Sequence, residues 1–284
     1  MYTLPTAPRS IGGVLDDAFR LYRVGFAKAW PIALLAQASV AIPLVILQLQ
    51  VGIGTSVANI DPARLLAHWP LMVCMYLILV IASIIFQNAM LAQFVAQASN
   101  VVQSVWQSLT VSLRFLPRAL GILFIYFGAL LLAGIAMGIL AAVLGGFARG
   151  VLFTCVIVGV LIIVVRLLLS TTVMIAEDTR AFAAIEGSWR LTRSNWWRVT
   201  GILTVLAIVV MVVTFVVSFA AGLTVLLLPK TGWLATVVTQ LVSILGNSLF
   251  ASLLPAGFLA IYFDLKLRRD GSDLAGRVDA LPAG

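Results

Sequence analysis

Between Val199 and Leu228 the chain carries no charged residue. A stretch so long and so apolar has one stable setting. A helix needs roughly 20 such residues to cross a bilayer, and in lipid only a helix or a closed barrel satisfies its own backbone. The remainder of the sequence has the same character. Hydrophobic residues make up 62% of it and charged residues 10%, against roughly 45–50% and about 25% in soluble domains. A soluble chain of this composition could not cover its surface with polar groups. The 284 residues accommodate about six spans of roughly 20 residues each with short connections.

The spans fall in order. The first runs from about Ala29 to Val51, with Pro43 expected to kink it, and the second from Leu71 to Ala98. The third runs from Ala119 to Leu144, the fourth from Val151 to near Ser170, and the fifth ends near Leu228. The sixth runs from Trp233 to about Phe263 and is interrupted by Pro255. Asp61-Pro62-Ala63-Arg64 reads as a short helix start in the loop between the first two spans, and Leu228-Pro229-Lys230-Thr231-Gly232 as the last outer turn. The lead before Ser10 has no apolar core and is not expected to be a cleaved signal peptide.

Ahead of the fifth span, Ala181 to Leu203 reads as an amphipathic helix feeding the membrane. Phe182, Ile185, Trp189 and Trp196 share one face by helical spacing. Glu186 stands four residues before Arg190, the favourable order for a helix ion pair. Tryptophans and arginines so close together suit the membrane–water interface, where rings sit at headgroup depth and basic side chains reach phosphates. Shifted back by 170 residues, the pattern lands on Leu15 to Ala33: Asp16, Arg20 and Arg23 replace Glu186, Arg190 and Arg193. A looser copy lies between them, in which Leu109, Leu113, Leu116 and Leu120 form the stripe, Leu113-Arg114 matches Trp189-Arg190, and Pro117 is expected to break the helix. Three units of one interfacial helix and two spans follow, at residues 11–98, 104–176 and 180–263.

A net charge of +8 suggests a nucleic-acid partner only until the charges are placed. They cluster at the ends of apolar runs, the mark of topology and of contact with anionic lipid headgroups. With the N-terminus inside, 14 of the 18 basic residues fall on the cytoplasmic side, three (Arg64, Arg149, Lys230) on the other, and Arg166 within an apolar run. Both termini are then cytoplasmic and the number of spans even. The expected partners are the anionic inner leaflet and a membrane or cytoplasmic protein, with no nucleic acid.

Catalytic chemistry finds no foothold. The one histidine, His68, stands alone on the outer side, the span centres hold no aspartate or glutamate, and no GxxxxGK[ST], HExxH or GxSxG motif occurs. Cys74 and Cys155 lie in apolar runs outside any C-x-x-C or Cys/His cluster and read as small buried apolar residues. No catalytic residue, metal site or cofactor is assigned. Gly134-x-x-x-Gly138 suggests close helix packing in span three. Arg166 is the sharpest candidate. A mid-bilayer charge costs about 2.5–3.5 kcal/mol, so it either binds an anionic group, pairs with Glu177 or Asp264, or snorkels from the end of span four. Arg190, Arg193, Arg20 and Arg23 join it as candidate lipid, anion or partner contacts. Gln87, Asn88 and Asn247 are candidate cavity-lining residues, or hydrogen-bond between helices instead.

Three segments carry a resemblance. They are Leu15-Asp16-Asp17-Ala18-Phe19-Arg20-Leu21-Tyr22-Arg23, Ala183-Ala184-Ile185-Glu186-Gly187-Ser188-Trp189-Arg190-Leu191-Thr192, and Tyr262-Phe263-Asp264-Leu265-Lys266-Leu267-Arg268-Arg269-Asp270-Gly271. Together they resemble the glycerophosphoryl diester phosphodiesterase membrane-domain family and its multi-pass bacterial relatives. The resemblance implies a stand-alone membrane domain. The family's catalytic activity resides in a separate soluble barrel absent from this sequence, so no catalytic residue carries over.

The expected fold is an all-α polytopic membrane protein: six transmembrane helices, three cytoplasmic interfacial amphipathic helices, and a pseudo-threefold repeat. One membrane domain, 1–263, precedes a cytoplasmic tail, 264–284. The expected function is non-enzymatic, a scaffold or accessory protein of the bacterial inner membrane in envelope or lipid biology. The alternative is a transporter or lipid-handling carrier with a cavity between the repeats.

Overall fold

The structure, a computed structural model, describes residues 5, 7–51, 69–143, 145–227 and 233–279. The helix start at Asp61, His68 and the turn at Pro229-Lys230 lie outside the described residues. The described chain is helical: α1 (Ile11–Val51), α2 (Trp69–Ala98), α3 (Val105–Val143), α4 (Gly146–Leu167), α5 (Ser170–Ala176), α6 (Ala181–Thr192), α7 (Trp196–Leu227), α8 (Trp233–Phe250) and α9 (Leu253–Asp279). Six stretches are long and apolar enough to cross a membrane: Ile11–Pro43, Trp69–Ala98, Val105–Val143, Gly146–Ala176, Trp196–Thr224 and Val237–Gly271. The described residues are thus all-helical, with six helices that could span a bilayer.

Two of the three amphipathic segments are not separate helices. In α1 and α3 the segment and its span form one continuous helix, which runs through Pro31 and Pro43 in α1 and through Pro117 in α3. Ending a helix leaves backbone groups without partners, a heavier cost beside lipid than the single bond that an internal proline removes. Only the third segment breaks. There α6 ends at Thr192, Asn195 donates its backbone N–H to the Thr192 carbonyl at 3.2 Å, and its own carbonyl receives Val199 N–H at 3.0 Å as α7 begins. Ser194 and Asn195 are residue types that favour such helix starts. Span six is likewise two helices, divided at Ala251-Ser252 just before Pro255. The glycine-rich stretch Gly145-Gly146-Phe147-Ala148-Arg149-Gly150 reads as a turn by composition, but the chain is helical from Gly146, and α9 runs on past residue 264 to Asp279.

Burial is concentrated at one end of the molecule. The main core joins Leu21 of α1, Phe94 of α2, Phe115 of α3, Met174 of α5, Leu191 of α6, Leu206 of α7 and Tyr262 of α9. Helix α1 is the hub and packs on α2, α8 and α9. At its closest approach to α2, a Cβ added to Gly25 would sit 2.5 Å from Phe94 Cε1. Away from this end α7 and α8 stay together, with Gly246 against Val217 and Thr224 hydrogen-bonded to Thr239 at 2.8 Å, whereas α3 and α4 part from the rest. No residue of α4 is buried, and Gly134 and Gly138 have no neighbour within 4 Å, so the small-residue motif makes no close approach inside the chain. Cys74 and Cys155 are exposed, not buried: their apolar surroundings are those of an outer helix face.

The helix starts and the buried stripes keep a common register. Ile11, Val105 and Ala181 open α1, α3 and α6, and the offsets that align Phe19 and Leu113 with Trp189 align these starts as well. The residues buried next also correspond: Val14, Ala18 and Leu21; Ser108, Ser112 and Phe115; Ala184, Ser188 and Leu191.

Candidate functional site

Three clusters of charged residues stand at the packed end. In the first, Asp264 of α9 is 4% exposed and accepts from Arg9 N at 2.9 Å, Arg198 Nε at 3.0 Å and Arg268 Nε at 3.1 Å. The Arg9 carbonyl accepts from Arg198 and Arg268, and the Arg9 side chain meets Asp17 at 3.1 Å. This network ties the start of the chain to α7 and α9.

The second group surrounds the α5–α6 turn. Glu177 accepts from Tyr262 Oη at 2.6 Å and Lys266 Nζ at 3.0 Å. Burial alone would raise the Glu177 carboxyl, but the tyrosine hydroxyl and the lysine ammonium outweigh it and hold it below its ordinary value of 4.5. Asp178, in the left-handed region at φ 48°, receives Arg118 at 2.6 Å and lies 3.7 Å from Arg114. The Arg118 hydrogen bond holds its carboxyl below the ordinary value.

The third group is the α6–α7 break. Arg166 lies in the last turn of α4, and the apolar stretch continues beyond it through α5 to Ala176. Arg166 pairs with neither Glu177 nor Asp264, whose partners are those just named. Instead its guanidinium stacks 4.5 Å from the centre of the Trp189 ring, and its backbone carbonyl accepts from Ser188 Oγ at 2.6 Å. Arg166, Arg193 and Arg198 line a cavity of about 460 Å³ together with Ile162 and the turn Ser194–Trp197. No acidic residue lines it. Among the described residues, Arg166 and Arg193 make no ion pair. Two donors of lining residues, Arg166 Nε and Trp196 Nε1, are buried without a hydrogen-bond partner.

Of the five candidate arginines, then, Arg166 and Arg193 come together. Arg190 is 3.7 Å from Glu186, the helix pair expected from the spacing, and lines a neighbouring basic cavity with Arg268 and Arg269. Arg20 and Arg23 are exposed on α1. Arg198, a member of the cavity wall, was not singled out by the sequence. The signal for it was the run Asn195-Trp196-Trp197-Arg198, where a helix restarts after a polar break.

The polar candidates of the spans do not gather at Arg166. Gln87 is exposed, Asn88 is buried with its amide nitrogen unpartnered, and Asn247 donates to the Ser243 carbonyl of its own helix at 2.9 Å. Their neighbours bond between helices. Ser112 Oγ donates to the Ile85 carbonyl at 2.5 Å, Ser108 Oγ to Gln93 Oε1 at 2.6 Å, and Trp30 Nε1 to Ser248 Oγ at 3.1 Å.

The aromatic stripe also lies elsewhere than on the packed face. Phe182 is 76% exposed and Trp189 is also exposed, while α6 buries the small residues Ala184, Gly187 and Ser188. Leu113 and Phe19 are exposed in the same way. Helices meeting in a membrane approach through small residues, because large apolar side chains gain as much from lipid as from a core.

Comparison with known families, curated proteins and solved structures gives no match to this chain.

Proposed function

We propose that the protein is a non-enzymatic scaffold or accessory protein of the bacterial cytoplasmic membrane, acting in envelope or lipid biology, with both termini cytoplasmic. The observation that carries this reading is the contrast between a tightly packed end and the outer halves of α3 and α4, which are left open, while α7 and α8 stay packed on each other at Val217, Ala221 and Gly246. Helix α4 buries nothing, and the glycine face of α3 at Gly134 and Gly138 is open. Such faces suit partner helices, which approach through small residues. The ionisable groups support the same reading, because Asp17, Glu177, Asp178 and Asp264 are engaged in ties between helices and chain segments. The common register of helix starts and buried stripes supports the threefold unit, with α1, α3 and α6 as its leading amphipathic helices. The resemblance to the phosphodiesterase membrane-domain family belongs with this reading as a proposal on the three quoted segments, and it adds no catalytic residue.

Native mass spectrometry of the protein extracted gently with its lipids tests the scaffold role. A stoichiometric second protein is expected, and it is lost in Gly138→Leu while the protein itself stays folded. A partner-free chain, or a complex indifferent to that substitution, overturns it.

One observation favours the lipid-handling alternative: an apolar groove of about 510 Å³ between α4, α7 and α9. It is lateral rather than central, and Gln87, Asn88 and Asn247 do not line it.

A further inference from the structure

We propose that the cleft at the α6–α7 break is a binding site for an anionic phospholipid. The phosphate sits among Arg166, Arg193 and Arg198, and one acyl chain lies in the groove between α4 and α7. Charge is the first argument. Three guanidinium groups line a cavity without a carboxylate, and only Arg198 has a counter-charge, in Asp264. Guanidinium groups bond phosphate oxygens through charge-assisted hydrogen bonds, commonly two at a time.

Unsatisfied donors are the second. Arg166 Nε and Trp196 Nε1 are buried without acceptors. A buried donor without a partner costs about 1–3 kcal/mol, more when charged, and both atoms belong to residues of the cavity wall, so a side chain that turns toward a phosphate there gains the acceptor it lacks.

The groove decides between a free anion and a lipid. It shares Ile162 and Trp196 with the basic cavity, so the two spaces adjoin. Its walls are Val158, Leu161, Val165, Leu203 and Phe258, with Thr200 and Thr204 the other polar side chains. A free phosphate has no use for such an annex, and a diacyl lipid does. Between Arg149 and Arg166 helix α4 carries no charge, and it buries no residue against the protein. Its end is nevertheless fastened, by Ser188 on the Arg166 carbonyl and by Tyr126 Oη on the Leu167 carbonyl at 2.7 Å. These bonds tie the end of α4 to α6 and α3 rather than to α7, and the groove lies between α4 and α7 beyond that tie. Depth agrees as well. Trp189 is exposed and Trp197 is 80% exposed beside the cavity, and exposed tryptophan is at home among headgroups.

The site stands apart from the scaffold reading, since it needs no protein partner. The test is native mass spectrometry of the delipidated full chain titrated with phosphatidylglycerol or phosphatidylcholine, with inorganic phosphate as competitor. One phosphatidylglycerol per chain is expected to bind in preference to phosphatidylcholine. Arg193→Ala, an exposed side chain outside the core, is expected to weaken it about tenfold, the worth of one charge-assisted hydrogen bond. Arg149→Ala, which removes the same charge far from the cleft, leaves it unchanged. Ala207→Trp, which fills the groove, reduces lipid binding without touching the arginines. Arg166→Lys keeps the charge and loses the planar fork, so it weakens binding even if Arg166→Ala fails to fold. Equal affinity for the two lipids, or retention unaffected by both Arg193→Ala and Ala207→Trp, overturns the proposal. So does displacement by inorganic phosphate with no effect of Ala207→Trp, which marks a free-anion site.

Discussion

Asp264 shows what a single carboxylate can hold together. It lies buried between α9 and α7 and receives three donors, from the Arg9 backbone and from the side chains of Arg198 and Arg268. Removing the charge leaves two guanidinium groups facing each other across a neutral amide. Breaking one partner out of a buried ion pair costs about 3–5 kcal/mol. Asp264→Asn is therefore expected to lower thermal stability in detergent by an amount in that range and to free the start of the chain for proteolysis near Arg9. A melting curve and a cleavage time course equal to those of the parent would show that the network contributes nothing. The role of Asp264 was partly legible in sequence as a cluster with Lys266, Arg268 and Arg269, which reads as an anchor at the end of a span. Its partners Arg9 and Arg198 were not, because they are brought to it only when the first and seventh helices pack beside the last.

At the scale of the element, helix α1 meets α2 through Gly25. A Cβ there would stand 2.5 Å from Phe94 Cε1, and Phe94 is fully buried, so the ring has nowhere to go. Gly25→Ala is expected to destabilise the protein by about 1–3 kcal/mol, the usual cost of overpacking. Gly138→Ala, where nothing lies within 4 Å, is expected to be neutral or slightly stabilising, since alanine is the better helix former. Thermal melts of the two variants in the same detergent separate the cases, and equal losses would contradict the packing described. The α5–α6 turn adds a dependence on pH. Glu177 and Asp178 both have lowered pKa values in the fold. Their contribution is complete above the ordinary values of 4.5 and 3.8 and is lost as the pH falls through the lowered ones. Stability is thus expected to fall on acidification below about pH 4.5, and the fall to shrink in Glu177→Gln. Helix existence was legible from apolar run length alone. Which face packs was not. The stripe of Phe182 and Trp189 reads as interfacial, and both are exposed, but nothing in the spacing marks the opposite face of Ala184, Gly187 and Ser188 as the one that packs. The rule that reads faces in water loses its contrast when the surroundings are as apolar as the interior.

For the whole molecule, the two ends differ in charge as well as in packing. Arg20, Arg23, Arg114, Arg118, Arg190, Arg193 and Arg268 stand at the packed end. Arg149, in the first turn of α4, stands at the other, separated from Arg166 by the length of the helix. Both described ends of the chain meet at the packed end, where Arg9 bonds Asp264 and Arg268. An even number of crossings follows from that meeting, independently of any count of spans. Basic residues flanking spans are retained on the cytoplasmic side, so the packed end, where Arg9 meets α9, is expected to face the cytoplasm. Reporter fusions at the two ends test this directly: a fluorescent protein should light at both, and alkaline phosphatase should stay silent at both. A single cysteine at position 149, in a background lacking Cys74 and Cys155, should react with a membrane-impermeant thiol reagent from the outer side, whereas one at position 193 should react only after permeabilisation. Phosphatase activity at either terminus would invert the molecule. It would also move the arginine cleft to the outer leaflet, so the same fusions determine which leaflet's lipids the cleft can draw on.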